Sequence, residues 1–117
     1  RLLIMKVAIV GSRSIDEKHY DLLCSKIPKG TSTVISGGAK GADALAKIYA
    51  EENQLNYIEI LPDYAKYGRA ATIRRNEQIV DMADYVLVFW DGKSRGCSFV
   101  MKYCIETDKP LKVLPCH

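Results

Sequence analysis

Five short apolar runs, each followed by a turn-rich or helix-patterned stretch, leave this chain few folds to adopt. The runs at residues 3–10, 32–36, 56–61, 85–90 and 111–114 are mostly continuous and rich in Val, Ile and Leu, as strands buried on both faces of a parallel sheet are. Helical stripes fall between them. Ala42, Leu45, Ala46, Tyr49 and Ala50 sit at i, i+3, i+4, i+7 and i+8, and so do Gly96, Phe99, Val100, Tyr103 and Cys104. Ser14-x-x-Glu17 reads as a capping box that opens a helix to about Lys26, and residues 70–83 turn Ile73, Ile79, Val80 and Ala83 inward. Right-handed crossovers convert this β-α-β-α-β-α-β-α-β order into an α/β fold, a Rossmann-like doubly wound sheet of about five parallel strands with helices on both faces.

The 117 residues, 48% of them hydrophobic, suit one compact domain over residues 1–117. Seventeen basic and fourteen acidic residues leave a formal charge of +3 with the signs interleaved. No basic stripe stands out, which argues against nucleic acid as a partner. Cys24, Cys97, Cys104 and Cys116 form no C-x-x-C pair, and Cys97 and Cys104 lie about 10 Å apart along one expected helix. That spacing forbids a bridge within the helix and favours a reduced, cytoplasmic setting over a disulfide or zinc scaffold. Lys6 breaks the first apolar run well short of a membrane span, and the run lacks the flanks of a signal peptide. Residue 1 is not Met, so the native start is expected to lie elsewhere.

In a doubly wound sheet, ligands sit at the carboxyl ends of the strands near the topological switch point, so the loops after the strands carry the chemistry. After the first strand comes Gly11-Ser12-Arg13, where a hydroxyl and a planar guanidinium suit a phosphate. The second loop, Ser36-Gly37-Gly38-Ala39-Lys40-Gly41, opens a helix; its glycines allow close backbone approach and Lys40 can neutralise charge. The spelling is neither G-x-x-x-x-G-K-[ST] nor G-x-G-x-x-G, so the motif licenses neither an ATPase nor an ordinary dinucleotide site. Asp43, in the first helical turn, serves either a ribose hydroxyl or the helix dipole.

The fourth loop, Trp90-Asp91-Gly92-Lys93-Ser94-Arg95-Gly96, adds Ser94 as an expected N-cap and a second helix N-terminus facing the first. Trp90 stacks on a base or covers the sheet edge. Arg69, Arg74 and Arg75 have a solvated charged face as their default reading, whereas Asn76 interrupts the inward stripe as a buried, hydrogen-bonded polar residue.

Taken together, Gly11-Ser12-Arg13, Ile35 to Asp43, Arg74-Arg75-Asn76, Ala83-Asp84 and Phe89 to Gly96 resemble the Smf/DprA and LOG superfamily, called SLOG, and within it the short YspA-like, YpsA-related proteins. The resemblance runs nearly end to end. It implies a Rossmann-like domain that binds nucleotides or nucleotide-derived ligands, as a sensor or as a hydrolase. The LOG branch cleaves the bond between base and ribose 5′-monophosphate with an arginine and the glutamate of P-G-G-x-G-T-x-x-E. Alignment on that pattern puts Arg75 on the arginine and Val100 on the glutamate. Valine cannot stabilise an oxocarbenium-like centre, so an acid would have to come from Asp91 or Asp43.

The sequence therefore favours a binding or sensing module for a nucleotide-like small molecule. Ser12, Arg13, Gly37, Gly38 and Gly41 would hold phosphate with help from Ser94 and Gly96, while Asp43 and Asn76 orient sugar or base. The alternative is a nucleotide-processing hydrolase using Arg75 and Asp91 or Asp43. Neither reading requires a metal or an organic cofactor. Self-association is also expected, because residues 69–83 and 95–108 carry more apolar side chains than one sheet face needs.

Overall fold

The computed structural model describes residues 5–38 and 40–116; Leu3 and Ile4, expected in the first strand, and Ala39 of the glycine loop lie outside these. Five parallel strands, β1 (Met5–Gly11), β2 (Thr31–Ser36), β3 (Asn56–Glu59), β4 (Tyr85–Trp90) and β5 (Leu111–Pro115), form one sheet in the order β3-β2-β1-β4-β5. The order reverses between β1 and β4. Their carboxyl ends therefore diverge into loops that leave toward opposite faces, the arrangement in which α/β sheets open a crevice.

Strand pleating explains how one run of apolar residues serves two cores. Val7 and Ile9 of β1 enter a cluster with Leu23 of α1 (Tyr20–Lys26) and Leu45 and Ala46 of α2 (Ala42–Glu52). Ala8 and Val10, on the other face, join Ile79 and Val80 of α4 (Ala71–Met82) and Val100 of α5 (Arg95–Glu106). Central β4 repeats the pattern, with Leu87 and Phe89 on one side and Val86 and Val88 on the other, all fully buried. Each such side chain contributes roughly 1.5–3 kcal/mol on burial, so most of the stability lies in β1, β4 and the helices over them. A short helix, α3 (Tyr64–Tyr67), bridges β3 to α4.

Three sequence expectations shift. A 3-10 turn, Glu17–His19, leads into α1 and is capped by Asp16, whose carboxylate accepts from Lys18 N while His19 Nδ1 accepts from Asp16 N. Ser14, the expected cap, instead donates its hydroxyl to Asp91, 77 residues away. In α5 the buried stripe is Cys97, Val100 and Cys104; Gly96 is exposed, and Phe99 is half-buried, stacked on Tyr103. Ile73 of α4 is 45% exposed, because Ala71, Ile79 and Val80 already fill the face that meets the sheet.

Candidate functional site

At the switch point, where β1, β2 and β4 end, lies a cleft of about 240 Å³. Its floor is apolar, with Val10, Ile79, Cys97 and Val100; of these the motifs had reached Val100, as the residue aligned on the LOG glutamate. Val10 ends an apolar run and Ile79 belongs to an inward stripe, so both read as core, while Cys97 stood outside the expected stripe. Cys97 is 3% exposed, and burial raises its thiol pKa even though Ser94 and Ser12 hydrogen bonds oppose the shift. It is a protonated wall rather than a nucleophile.

Above the floor, the β1 loop contributes Gly11 and Arg13, and the β2 loop contributes Gly37. Arg13 is exposed, with its side chain at the rim. Two glycines fix this side by close approach. Gly41 has φ +82°, and a Cβ there would collide with the Ser12 carbonyl and crowd the Arg13 backbone, so the start of α2 rests directly on the β1 loop. At Gly37 a Cβ would come 2.6 Å from Arg75 Nη1 and 3.2 Å from Asp43 Oδ2. The guanidinium and the carboxylate thus both come close to the bare backbone of Gly37. Asp43, 8% exposed, also lines the cleft.

The opposite wall comes from α4 and α5. Arg75 and Asn76 project from α4, and Ser94 and Gly96 from the start of α5. Ser94 is the N-cap, its hydroxyl accepting from Cys97 N at 3.3 Å. Gly96 lies in the first turn of α5 and lines the cleft, so the positive end of the α5 dipole borders it. Arg75 is not on a solvated face: it is turned inward, in contrast to exposed Arg69 and to Arg74, which pairs with Glu77.

The remaining residues expected to touch a ligand do not line the cleft. Ser12 is 2% exposed and its hydroxyl accepts from Asp91 N. Ser36 is fully buried, its Oγ 2.6 Å from Tyr57 Oη. Gly38 is turned toward Glu59, and Lys40 is exposed away from the cleft lining. Trp90 donates its indole N–H to the Ser94 carbonyl and packs on the α4/α5 core. Gly92 takes the exposed turn with φ +84°.

Asp91 holds that turn together. Its Oδ1 accepts from Lys93 N and Ser94 N at 2.8 and 2.9 Å, and its Oδ2 from Ser14 Oγ. These two backbone amides, first Lys93 and then Ser94, push its pKa down to about 2. A carboxylate ionised and saturated in this way cannot deliver a proton at neutral pH. Asp43 is therefore the only carboxylate among the described residues lining the cleft.

A family model, YAcAr, described as the YspA, cpYpsA-related SLOG family, matches residues 5–67. In fold the chain is similar to DNA processing protein A from Helicobacter pylori, a protein described for its single-stranded DNA binding mode. The TM-score is 0.73 at 23% identity, over 97% of this chain and 66% of that one. The chain thus spans about two-thirds of that structure, and at this identity the likeness concerns the fold. No curated protein matches by sequence. One expectation is corrected here. A net charge of +3 had argued against nucleic acid, but a protein of the same fold binds single-stranded DNA, so modest overall charge does not exclude that class of partner. No helix among the described residues is long and apolar enough to cross a membrane.

Proposed function

The chain belongs to the YspA, cpYpsA-related SLOG family, and from that premise we propose that the cleft binds a nucleotide or nucleotide-derived ligand. The observation that carries the reading is the convergence of Arg13, Asp43, Asn76 and the N-terminal turn of α5, from four separate elements, on one hollow at the switch point. Cations and amides suit a phosphate, and a carboxylate suits the hydroxyls of a sugar. In this reading Arg13, Ser94 and Gly96 hold the phosphate, Gly11 and Gly37 let the β1 and β2 loops pack closely against Ala42 and Arg75, and Asp43 and Asn76 orient the rest. Ser12, Ser36, Gly41, Trp90 and Asp91 act from behind by fixing the loops. The volume lies just below the roughly 300–1,000 Å³ of drug-sized sites, which favours a mononucleotide or sugar phosphate over a dinucleotide.

Thermal unfolding with a panel of nucleoside mono-, di- and triphosphates, ADP-ribose and a short single-stranded DNA tests this. A ligand that binds only the folded state raises the midpoint. Arg13→Ala is expected to weaken binding at least tenfold, the worth of one charge-assisted contact, while unliganded stability changes by less than about 0.5 kcal/mol because Arg13 is exposed. A panel without any stabilising member removes the nucleotide reading, and salt-sensitive binding of the DNA alone transfers the cleft to nucleic acid.

A second reading, hydrolysis of an N-glycosidic bond, draws on Asp43 and Arg75 both lining the cleft close to Gly37. Release of free base from nucleoside monophosphates, lost in Asp43→Asn, is its signature. Unchanged substrate at high protein concentration removes it.

A further inference from the structure

Arg75 faces the cleft, yet most of its hydrogen-bonding capacity is spent on the protein. Nη1 donates to the Gly37 carbonyl at 2.9 Å and to the Ile60 carbonyl at 3.4 Å, and Nε donates to Asn76 Oδ1 at 2.9 Å. Of five N–H donors, at most two on Nη2 remain. The carbonyls it holds stand just past the ends of β2 and β3, where the last strand-to-strand bond is Ile60 N to Ser36 O. The guanidinium therefore continues the β2–β3 ladder by side-chain means and ties it to α4.

Its effect on Asn76 is chemical rather than merely steric. A guanidinium has no acceptor, so an amide bonded to Arg75 Nε must present its oxygen there. The amide nitrogen is then forced to the other side. It lies toward the start of α5, 3.9 Å from where a Gly96 Cβ would be, with Ser94 Oγ equally near that point. The Ser94 oxygen accepts from Cys97 N, and Ser94 also hydrogen-bonds the Cys97 thiol. The α4/α5 wall consequently shows a hydrogen-bond donor, the Asn76 NH₂, beside the N-terminal turn of α5, where Gly96 lines the cleft.

Resting on the nucleotide reading for the identity of the ligand, we propose that Arg75 is a positioning residue. By fixing the Asn76 amide with its nitrogen outward, it makes this wall selective for acceptor-bearing, anionic groups. Arg75 acts on the ligand through Asn76 rather than by touching it.

Two measurements test the proposal. Without ligand, ¹⁵N NMR of the full chain should show an Arg75 Nε–H that exchanges with water much more slowly than that of exposed Arg69, and a single Asn76 side-chain amide pair. In Arg75→Lys the Asn76 pair should shift and its exchange accelerate. An Arg75 Nε–H exchanging as fast as that of Arg69 overturns the proposal. With AMP as probe, Asn76→Ala and Arg75→Lys should each weaken binding by up to about tenfold. The double variant should bind no worse than Asn76→Ala alone, since one interaction is lost once; additive losses mean that Arg75 contacts AMP itself and overturn the proposal. Asn76→Asp, nearly the same shape but with acceptors in place of the NH₂, should bind more weakly than Asn76→Ala, and equal or tighter binding would count against a donor wall. Should the parent protein bind neither AMP nor any other nucleotide, the nucleotide reading fails while the exchange measurement still decides the role of Arg75.

Discussion

The two sides of the cleft are built by opposite means. On the β1/β2 side, side chains are removed: Gly37 and Gly41 let a guanidinium and a neighbouring loop come against bare backbone. On the β4/α5 side, side chains are added: Asp91 gathers two amides and a hydroxyl, Ser12 holds the Asp91 amide, and Ser94 caps the helix. Either strategy aims backbone and cations at one point, but the failures differ. A glycine loop fails by collision, which nothing nearby relieves, whereas a hydrogen-bonded loop fails by losing acceptors that water partly replaces.

That contrast predicts a ranking. Gly41→Ala should cost the most, about 2–4 kcal/mol in denaturant unfolding, because a positive φ and a backbone collision act together. A loss under about 1 kcal/mol would show that the β1 loop yields, and the contrast would fail. Asp91→Ala should come next, since three donors lose their acceptor at once. Its signature is in the pH dependence. The folded pKa of about 2 lies below the ordinary 3.8, so the contribution of this carboxylate is complete above about pH 4 and disappears as pH falls through about 2. Acid titration of the parent should show that decline and the variant should lack it; superimposable profiles would mean that the turn does not depend on the charge. Ser94→Ala should be mildest, about 1 kcal/mol for a lost cap, read from the same unfolding curves.

Why the glycine side was visible in the sequence and the other side only half so follows from how far apart the partners lie. Three glycines between an apolar run and a helical stripe announce a close approach whatever they approach. Asp91 instead reads as a candidate ligand group until Ser14, on a different loop, is placed beside it. Arg75 shows the same limit. Next to Arg74 on a polar helix face it suggests a solvated cation, and only the carbonyls at the ends of β2 and β3 turn it inward. In α5, Val100 and Cys104 of the expected stripe are buried, but Cys97 takes the place of Gly96 in it, a choice that helical spacing alone does not make.

The sequence by itself determined the strands, the helices, the handed order that puts loops at a switch point, and the family. Each depends on periodicity, turn chemistry or motif spelling, all local properties of the chain. Tertiary structure decided which of the polar groups in those loops face the cleft and which hold it open. A hydroxyl, a carboxylate or a guanidinium satisfies itself with whatever donor or acceptor the fold brings within about 3 Å, and that neighbour is usually far away in sequence.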